Sequence, residues 1–194
     1  MTQKKEHTGI ILAGGKSSRM GEEKGLLFLH DKPFVRHIAE ALQPLVREII
    51  IVSDQEEYDQ FGYKRVEDIF KDTGPVGGLY TGLLSSTTTS NFVISCDVPL
   101  ITTALLSKLQ DSDEEHFDVI QFRAQDKSMP LIALYKKRCA AICKKQLETG
   151  ERRLRKLVAS LSTKSIPVDE KEYILVSNIN TPEDLKNVRY AIND

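Results

Sequence analysis

Apolar runs alternate with amphipathic stretches along the whole chain. Residues 8–13 (TGIILA) and 48–52 (EIIIV) read as continuous buried strands, 92–95 (FVIS) as a short central strand, and 64–67 as a third candidate at the start. Between them, 33–46 has helical spacing with Pro33 near its first position, 55–61 is a short helix and 76–84 a longer one behind the Gly74-Pro75 break. Farther on, 102–109 is helical, 119–123 and 131–135 are strands joined by a polar turn, and 137–148 and 153–161 are helical. Strands are expected at 164–168 and 174–178, and Thr181 caps a last helix with Pro182 first and Glu183 and Asp184 in its opening turn, where acids suit the helix dipole.

Strand–helix alternation with unbroken Ile/Val/Leu runs implies an α/β fold: a three-layer, Rossmann-like arrangement with a mostly parallel central sheet and helices on both faces. No internal repeat or linker divides the 194 residues, so 1–194 is read as a single domain. Ligands of such sheets sit beyond the carboxyl ends of the strands. That rule directs attention to 14–24, Ser53-Asp54, Asp68, Asp97 and 178–180.

Composition narrows the class. The 27 basic and 28 acidic residues leave a net charge of −1, with no global signature of a nucleic-acid or membrane partner. No run of 18 apolar residues exists, and the polar start lacks a signal peptide, so the cytoplasm is the expected compartment. Three cysteines (Cys96, Cys139, Cys143) without metal-type spacing argue for packing rather than a zinc site or disulfide framework.

The chemistry begins at LAGGKSSRMGEEKG, residues 12–25, directly after the first strand. Gly14 and Gly15 carry no Cβ, which lets backbone N–H groups close on an anion. Arg19 adds a forked donor and Lys24 a point charge, both suited to a triphosphate. The glycine spacing excludes the dinucleotide-binding fingerprint, and Lys24 sits between Glu23 and Gly25 rather than in the P-loop pattern.

This string resembles the signature of the cofactor nucleotidyltransferases, specifically the molybdenum cofactor guanylyltransferases. The resemblance runs as ordered short motifs from Leu12 to Leu185. It implies that Leu12, Ala13 and Gly14 touch the nucleotide, that Arg19 and Lys24 hold its phosphates, and that Met20 and Gly21 shape the loop. Asp97, in SCDVPL, lies at a strand end suited to a hard cation. Asp97 could instead cap a helix or form a turn; the family resemblance makes it the Mg²⁺ ligand. Asp68, in RVEDIF, is six residues before GPVGGL. In the resembling family this region lines the base pocket, which implies a guanine-facing Asp68 and close backbone approach at Gly77 and Gly78. A turn aspartate and a helix-starting Gly-Pro are the simpler reading there.

Asn178 and Asn180, in SNINTPEDL, match the family's closing motif, near metal and acceptor. Cytidylyl-transferring relatives tend to carry aspartates in that string and L-A-A-G in place of L-A-G-G. Both differences point this chain toward GTP. Ser53-Asp54 stands where some relatives have an asparagine, which leaves the base contact there open. Nine Lys or Arg residues fall between 136 and 156. Most belong to solvated helix faces, but Arg153, and more remotely Lys127, could meet the acceptor, which by resemblance is molybdopterin.

The implied reaction is attack of the molybdopterin phosphate on the α-phosphorus of GTP, giving a guanine dinucleotide and pyrophosphate. The N-terminal half would hold the nucleotide and the C-terminal half the acceptor. No protein nucleophile or base is required, and Lys24, Arg19 and Asp97 act by positioning and charge. The alternatives are a cytidylyltransferase acting on molybdopterin, a sugar-phosphate nucleotidyltransferase, and a nucleotide-binding module without turnover. Transient contact with other proteins of molybdenum cofactor synthesis, or with acceptor proteins, is a further expectation.

Overall fold

The structure is a computed structural model that describes residues 6–14 and 23–193. Arg19, Gly15, Met20 and Gly21 therefore lie outside the described residues. In chain order the strands are β1 (His7–Leu12), β2 (Phe28–Leu29), β3 (Lys32–Pro33), β4 (Val46–Val52), β5 (Lys64–Val66), β6 (Ser90–Ser95), β7 (Val119–Ala124), β8 (Lys127–Lys136) and β9 (Thr163–Pro167). The α-helices are α1 (Phe34–Leu42), α2 (Pro75–Ser85), α3 (Thr103–Asp111), α4 (Cys139–Glu148), α5 (Leu154–Ala159) and α6 (Pro182–Asn193). Short 3₁₀ turns cover Lys24–Leu26, Glu56–Phe61 and Glu170–Val176.

Seven strands form one sheet in the order β5-β4-β1-β6-β8-β7-β9, and β2 pairs with β3 in a small hairpin. Pairings are parallel from β5 to β6 and between β7 and β9; β8 is antiparallel to both its neighbours. The apolar run of β1 is two-faced because alternate residues enter opposite cores. Ile11 joins α1 and α3 on one face, whereas Ile10 and Leu12 join α2, α4 and α5 on the other. A small third cluster of Leu29, Phe34, Ile179 and Val188 ties α6 to the β2–β3 hairpin. No helix among the described residues is long and apolar enough to cross a membrane.

Three boundaries depart from expectation. Pro33 is the extended residue that caps α1 (ψ 152°) rather than its first helical residue, and α1 stops at Leu42. Residues 174–178 are not a strand, because Glu170–Val176 winds into a 3₁₀ turn. Val176 turns into the core while Ile174 is exposed, and Lys108 Nζ holds Glu172 at 2.7 Å. Finally, β8 is longer than the predicted 131–135. Its register against β7 passes from Gln121↔Ala133 to Phe122↔Met129, so residues 130–132 have no counterpart on β7. A proline within a strand is tolerated at such a bulge, and Pro130 sits there.

Candidate active site

The first half of the sheet brings its strand ends to one edge. Leu12 is paired with Val52 on one side and Ser95 on the other. The ladder continues outward as Ala13 N–H bonds Val52 O at 3.0 Å and Cys96 N–H bonds Leu12 O at 3.1 Å. Gly14 and Asp97 therefore leave the sheet side by side. Ser53 N–H bonds Val66 O at 3.0 Å, which sets Asp54 beside the end of β5.

On the β5 side, Asp54 Oδ1 accepts the Asp68 N–H at 3.1 Å and the Lys71 ammonium at 2.5 Å. The Thr81 hydroxyl donates to Asp68 Oδ1 at 3.3 Å and accepts the Ile69 N–H at 3.1 Å. Burial raises the Asp68 carboxyl above the usual range, and the Thr81 hydrogen bond partly offsets this. A Cβ on Gly14 would lie 3.7 Å from Asp68 Oδ2. One on Gly78 would lie 3.4 Å from Leu12 Cδ2 and 3.8 Å from Asp68 Oδ1. Leu12, Gly14, Asp68 and Gly78 are thus brought together around a carboxylate. Gly77 is not: its Cβ would lie 2.0 Å from Thr73 Oγ1 and 3.0 Å from Phe70 O, so its bareness serves packing of the preceding loop.

On the β6 side three separate motifs meet. Asn178 Nδ2 donates to Asp97 Oδ2 at 3.1 Å, Lys24 Nζ lies 3.8 Å from the same oxygen, and Lys24 Nζ donates to Asn180 Oδ1 at 2.5 Å. The turn is pinned by Ile179 N–H to Asp97 O at 2.8 Å. Asp184 Oδ2 accepts the Asn180 and Thr181 amides at 2.9 Å each, while Thr181 Oγ1 accepts the Asp184 N–H at 3.1 Å. This reciprocal cap fixes both asparagines to the start of α6. The expected cap at Thr181 is therefore present, and it positions the two asparagines.

Asp97 is 7% exposed, and its Oδ1 is buried with no hydrogen-bond partner. A bare buried carboxylate oxygen carries a desolvation cost that a cation would relieve. Among the described residues no three His, Cys, Asp or Glu side chains gather as an all-protein metal cage. One carboxylate completed by phosphate oxygens and water is the donor set Mg²⁺ commonly takes, so the residues present fit that ion.

A cleft of about 460 Å³ opens next to Asn178. Its floor is the β8 bulge with Met129, Pro130 and Leu131, and its rim carries Lys127, Arg153 and Arg155. The bulge is what makes the room, because residues 130–132 leave the β7 ladder. Arg153, singled out from the sequence, is committed to Glu151 at 2.8 and 2.7 Å. Arg155 has no ion pair among the described residues, and the sequence offered no signal that it, rather than its neighbours, would face the cleft. Thr81 was likewise missed, since a threonine inside a helix carries no motif.

The cysteines are buried and free. Burial pushes the Cys139 and Cys143 thiols up to about 12 and the Cys96 thiol higher still, leaving them as packing groups rather than nucleophiles.

A parallel-sheet edge with a recessed carboxylate, an adjoining lysine–aspartate–asparagine cluster and a cationic cleft is an arrangement suited to a phosphate-bearing nucleotide and a second anionic ligand. Residues 9–165 match the family described as the MobA-like NTP transferase domain. A Flavobacterium johnsoniae protein named "Probable molybdenum cofactor guanylyltransferase" is 38% identical, covering 93% of this chain and 95% of its own. The molybdenum cofactor guanylyltransferase of Vibrio parahaemolyticus is 34% identical, with 95% and 96% covered. The crystal structure of the molybdopterin-guanine dinucleotide biosynthesis protein A of Archaeoglobus fulgidus superposes with a TM-score of 0.82 at 24% identity, over 96% of this chain and 98% of that one, and shares the fold. The chain belongs to the MobA-like NTP transferase domain family.

Proposed function

We propose that this protein transfers GMP from GTP to the terminal phosphate of molybdopterin, forming molybdopterin guanine dinucleotide and pyrophosphate. The names of its relatives support that activity. The observation that carries it is the meeting of Lys24, Asp97, Asn178 and Asn180 through two hydrogen bonds and one ion pair, from segments up to 156 positions apart.

In this reading the edge divides the work. Asp68, held by Thr81 and the Asp54 carboxylate, accepts the N1–H and exocyclic amine of guanine, a donor pair no other common base presents. Leu12, Ala13, Gly14 and Gly78 form the wall against which the base and ribose lie. Gly15 and Arg19 complete the phosphate cradle. Lys24 neutralises charge on the departing pyrophosphate, and its contact with Asn180 holds the ammonium in place before reaction. Asp97, with Asn178 occupying Oδ2, offers Oδ1 to Mg²⁺. When bound, the ion supplies positive charge at the α- and β-phosphates.

The acceptor enters the cleft beside Asn178. Lys127, Arg155 and Arg153 face its phosphate, and Met129, Pro130 and Leu131 face its ring system. Its attacking oxygen is already ionised, so no residue need remove a proton. The two halves of the chain act as one unit, nucleotide on the β5–β6 side and acceptor beside β8, in a cytoplasmic setting with hand-over to other proteins of the cofactor's synthesis.

Calorimetric titration with GTP, CTP, ATP and UTP, with and without Mg²⁺, tests the reading. GTP-selective binding strengthened by Mg²⁺ is expected. CTP preference would move the chain to the cytidylyl-transferring siblings.

A further inference from the structure

Tyr58 is completely buried and has no place in the chemistry above. It lies in the 3₁₀ turn Glu56–Phe61, between β4 and β5, yet its hydroxyl reaches the far end of the glycine-rich loop. It donates to Glu23 Oε1 at 3.2 Å, and the same hydroxyl packs against the backbone of Gly25. A Cβ on Gly25 would lie 2.3 Å from that hydroxyl and 3.0 Å from the ring, so only glycine leaves room for the tyrosine. Tyr58 therefore grips the residues on both sides of Lys24.

The grip is energetically awkward if its purpose is packing. Burial raises the Glu23 carboxyl above the usual range, which marks it as a partly desolvated acid. Burying a carboxylate costs free energy that an apolar side chain in place of Glu23 would avoid, and the Tyr58 hydrogen bond offsets only part of it. The benefit lies next door. Lys24 is a point charge on a flexible stem, and among the described residues its turn carries the backbone bonds Leu26 N–H to Glu23 O at 3.0 Å and Leu27 N–H to Lys24 O at 3.1 Å.

We propose that Tyr58 is a positioning residue: through Glu23 and Gly25 it fixes the Lys24 backbone so that the ammonium meets Asn180 and Asp97. The inference rests on the role proposed for Lys24 in transfer. Its contribution is preorganisation, and it touches no reacting atom.

The test is steady-state kinetics of GMP transfer with the full chain, alongside thermal unfolding. Tyr58→Phe is expected to lower kcat about tenfold, the order of one hydrogen bond to a charged group, while leaving the KM for GTP within about twofold. The same change made in Lys24→Ala should have no further effect, because the group it positions is gone. Glu23→Gln keeps an acceptor oxygen and should stay close to the parent, whereas Glu23→Ala should match Tyr58→Phe. Glu23→Ala also carries the test if Tyr58→Phe fails to fold. Unchanged kcat in both Tyr58→Phe and Glu23→Ala, or losses that multiply fully with Lys24→Ala, would overturn the positioning role alone. Normal turnover by Lys24→Ala would instead overturn the assignment of Lys24 on which it rests.

Discussion

Gly78→Ala separates binding from stability. Gly78 is buried in α2, and the added methyl would lie 3.4 Å from Leu12 Cδ2, the flexible end of a side chain, with the next contact at 3.8 Å. Alanine exceeds glycine in helix propensity by about 0.8–1.0 kcal/mol, and the tight contact to Leu12 returns only a few tenths. The variant should be as stable as the parent or up to about 1 kcal/mol more stable, a rise of no more than about 2–4 °C in Tm at this chain length. The methyl nevertheless projects between Leu12 and Asp68, where the proposed function puts the base. Forcing a bound ring away from an added methyl costs about 1–3 kcal/mol, so GTP affinity should fall roughly 5- to 150-fold. Gly77→Ala gives the opposite signature, because its Cβ would lie 3.0 Å from the Phe70 carbonyl and must displace backbone. It should lose about 1–3 kcal/mol of stability. Thermal unfolding and calorimetry on the same samples read both quantities. A folded Gly78→Ala protein that binds GTP as the parent does would refute a nucleotide lying between Leu12 and Asp68.

Three other outcomes follow from named contacts. Lys24→Ala and Asp97→Ala should each lower kcat about 10²–10³-fold, as loss of one preorganised charge does, measured by pyrophosphate release at saturating GTP. Arg155→Ala should raise the KM for molybdopterin about tenfold without changing GTP affinity, and Arg153→Ala should do less because Glu151 already holds that guanidinium; equal effects would show that the pairing with Glu151 does not matter. At the opposite end of the sheet, burial works to raise the Asp113 carboxyl, but hydrogen bonds from His7, Lys136 and Ser90 override it and hold the group well below the usual range. A folded-state value below the unfolded one gives stability that is full above about pH 4 and lost as pH falls further. Asp113→Asn should therefore flatten acid unfolding below pH 4 and, by removing the nearest anion from the buried Lys136, which keeps Ser90 Oγ at 2.9 Å and Glu115 at 3.5 Å, cost about 1–3 kcal/mol at neutral pH, read by denaturant melts.

The edge of the sheet was legible because position follows from pattern. Unbroken apolar runs mark strands buried on both faces, and the residues after them must emerge at one side. Gly14, Asp54, Asp68 and Asp97 needed nothing more. For Asn178 and Asn180 the same rule started from a strand at 174–178 that is absent, so only the motif carried them, and their pairing with Asp97 and Lys24 is a long-range contact that no local pattern states. The 3₁₀ turn at Glu170–Val176 misread as a strand because Tyr173 to Val176 are all apolar and too few to reveal a period. Tyr58, Thr81 and Arg155 were invisible for a different reason. Each acts across a tertiary contact from a segment whose own sequence looks like ordinary packing or solvated surface. The cleft beside Asn178 belongs to the same group, since residues 130–132 on its wall leave the ladder at a register shift between β7 and β8.

The central claim is guanylyl transfer itself, and the most direct measurement is pyrophosphate release from GTP in the presence of Mg²⁺ and molybdopterin, with the pterin product identified by mass. The account predicts release that requires both GTP and molybdopterin, falls away with CTP, and yields the guanine dinucleotide. GTP bound tightly under the same conditions, with no pyrophosphate and no dinucleotide formed, would contradict it and leave a nucleotide-binding module without turnover.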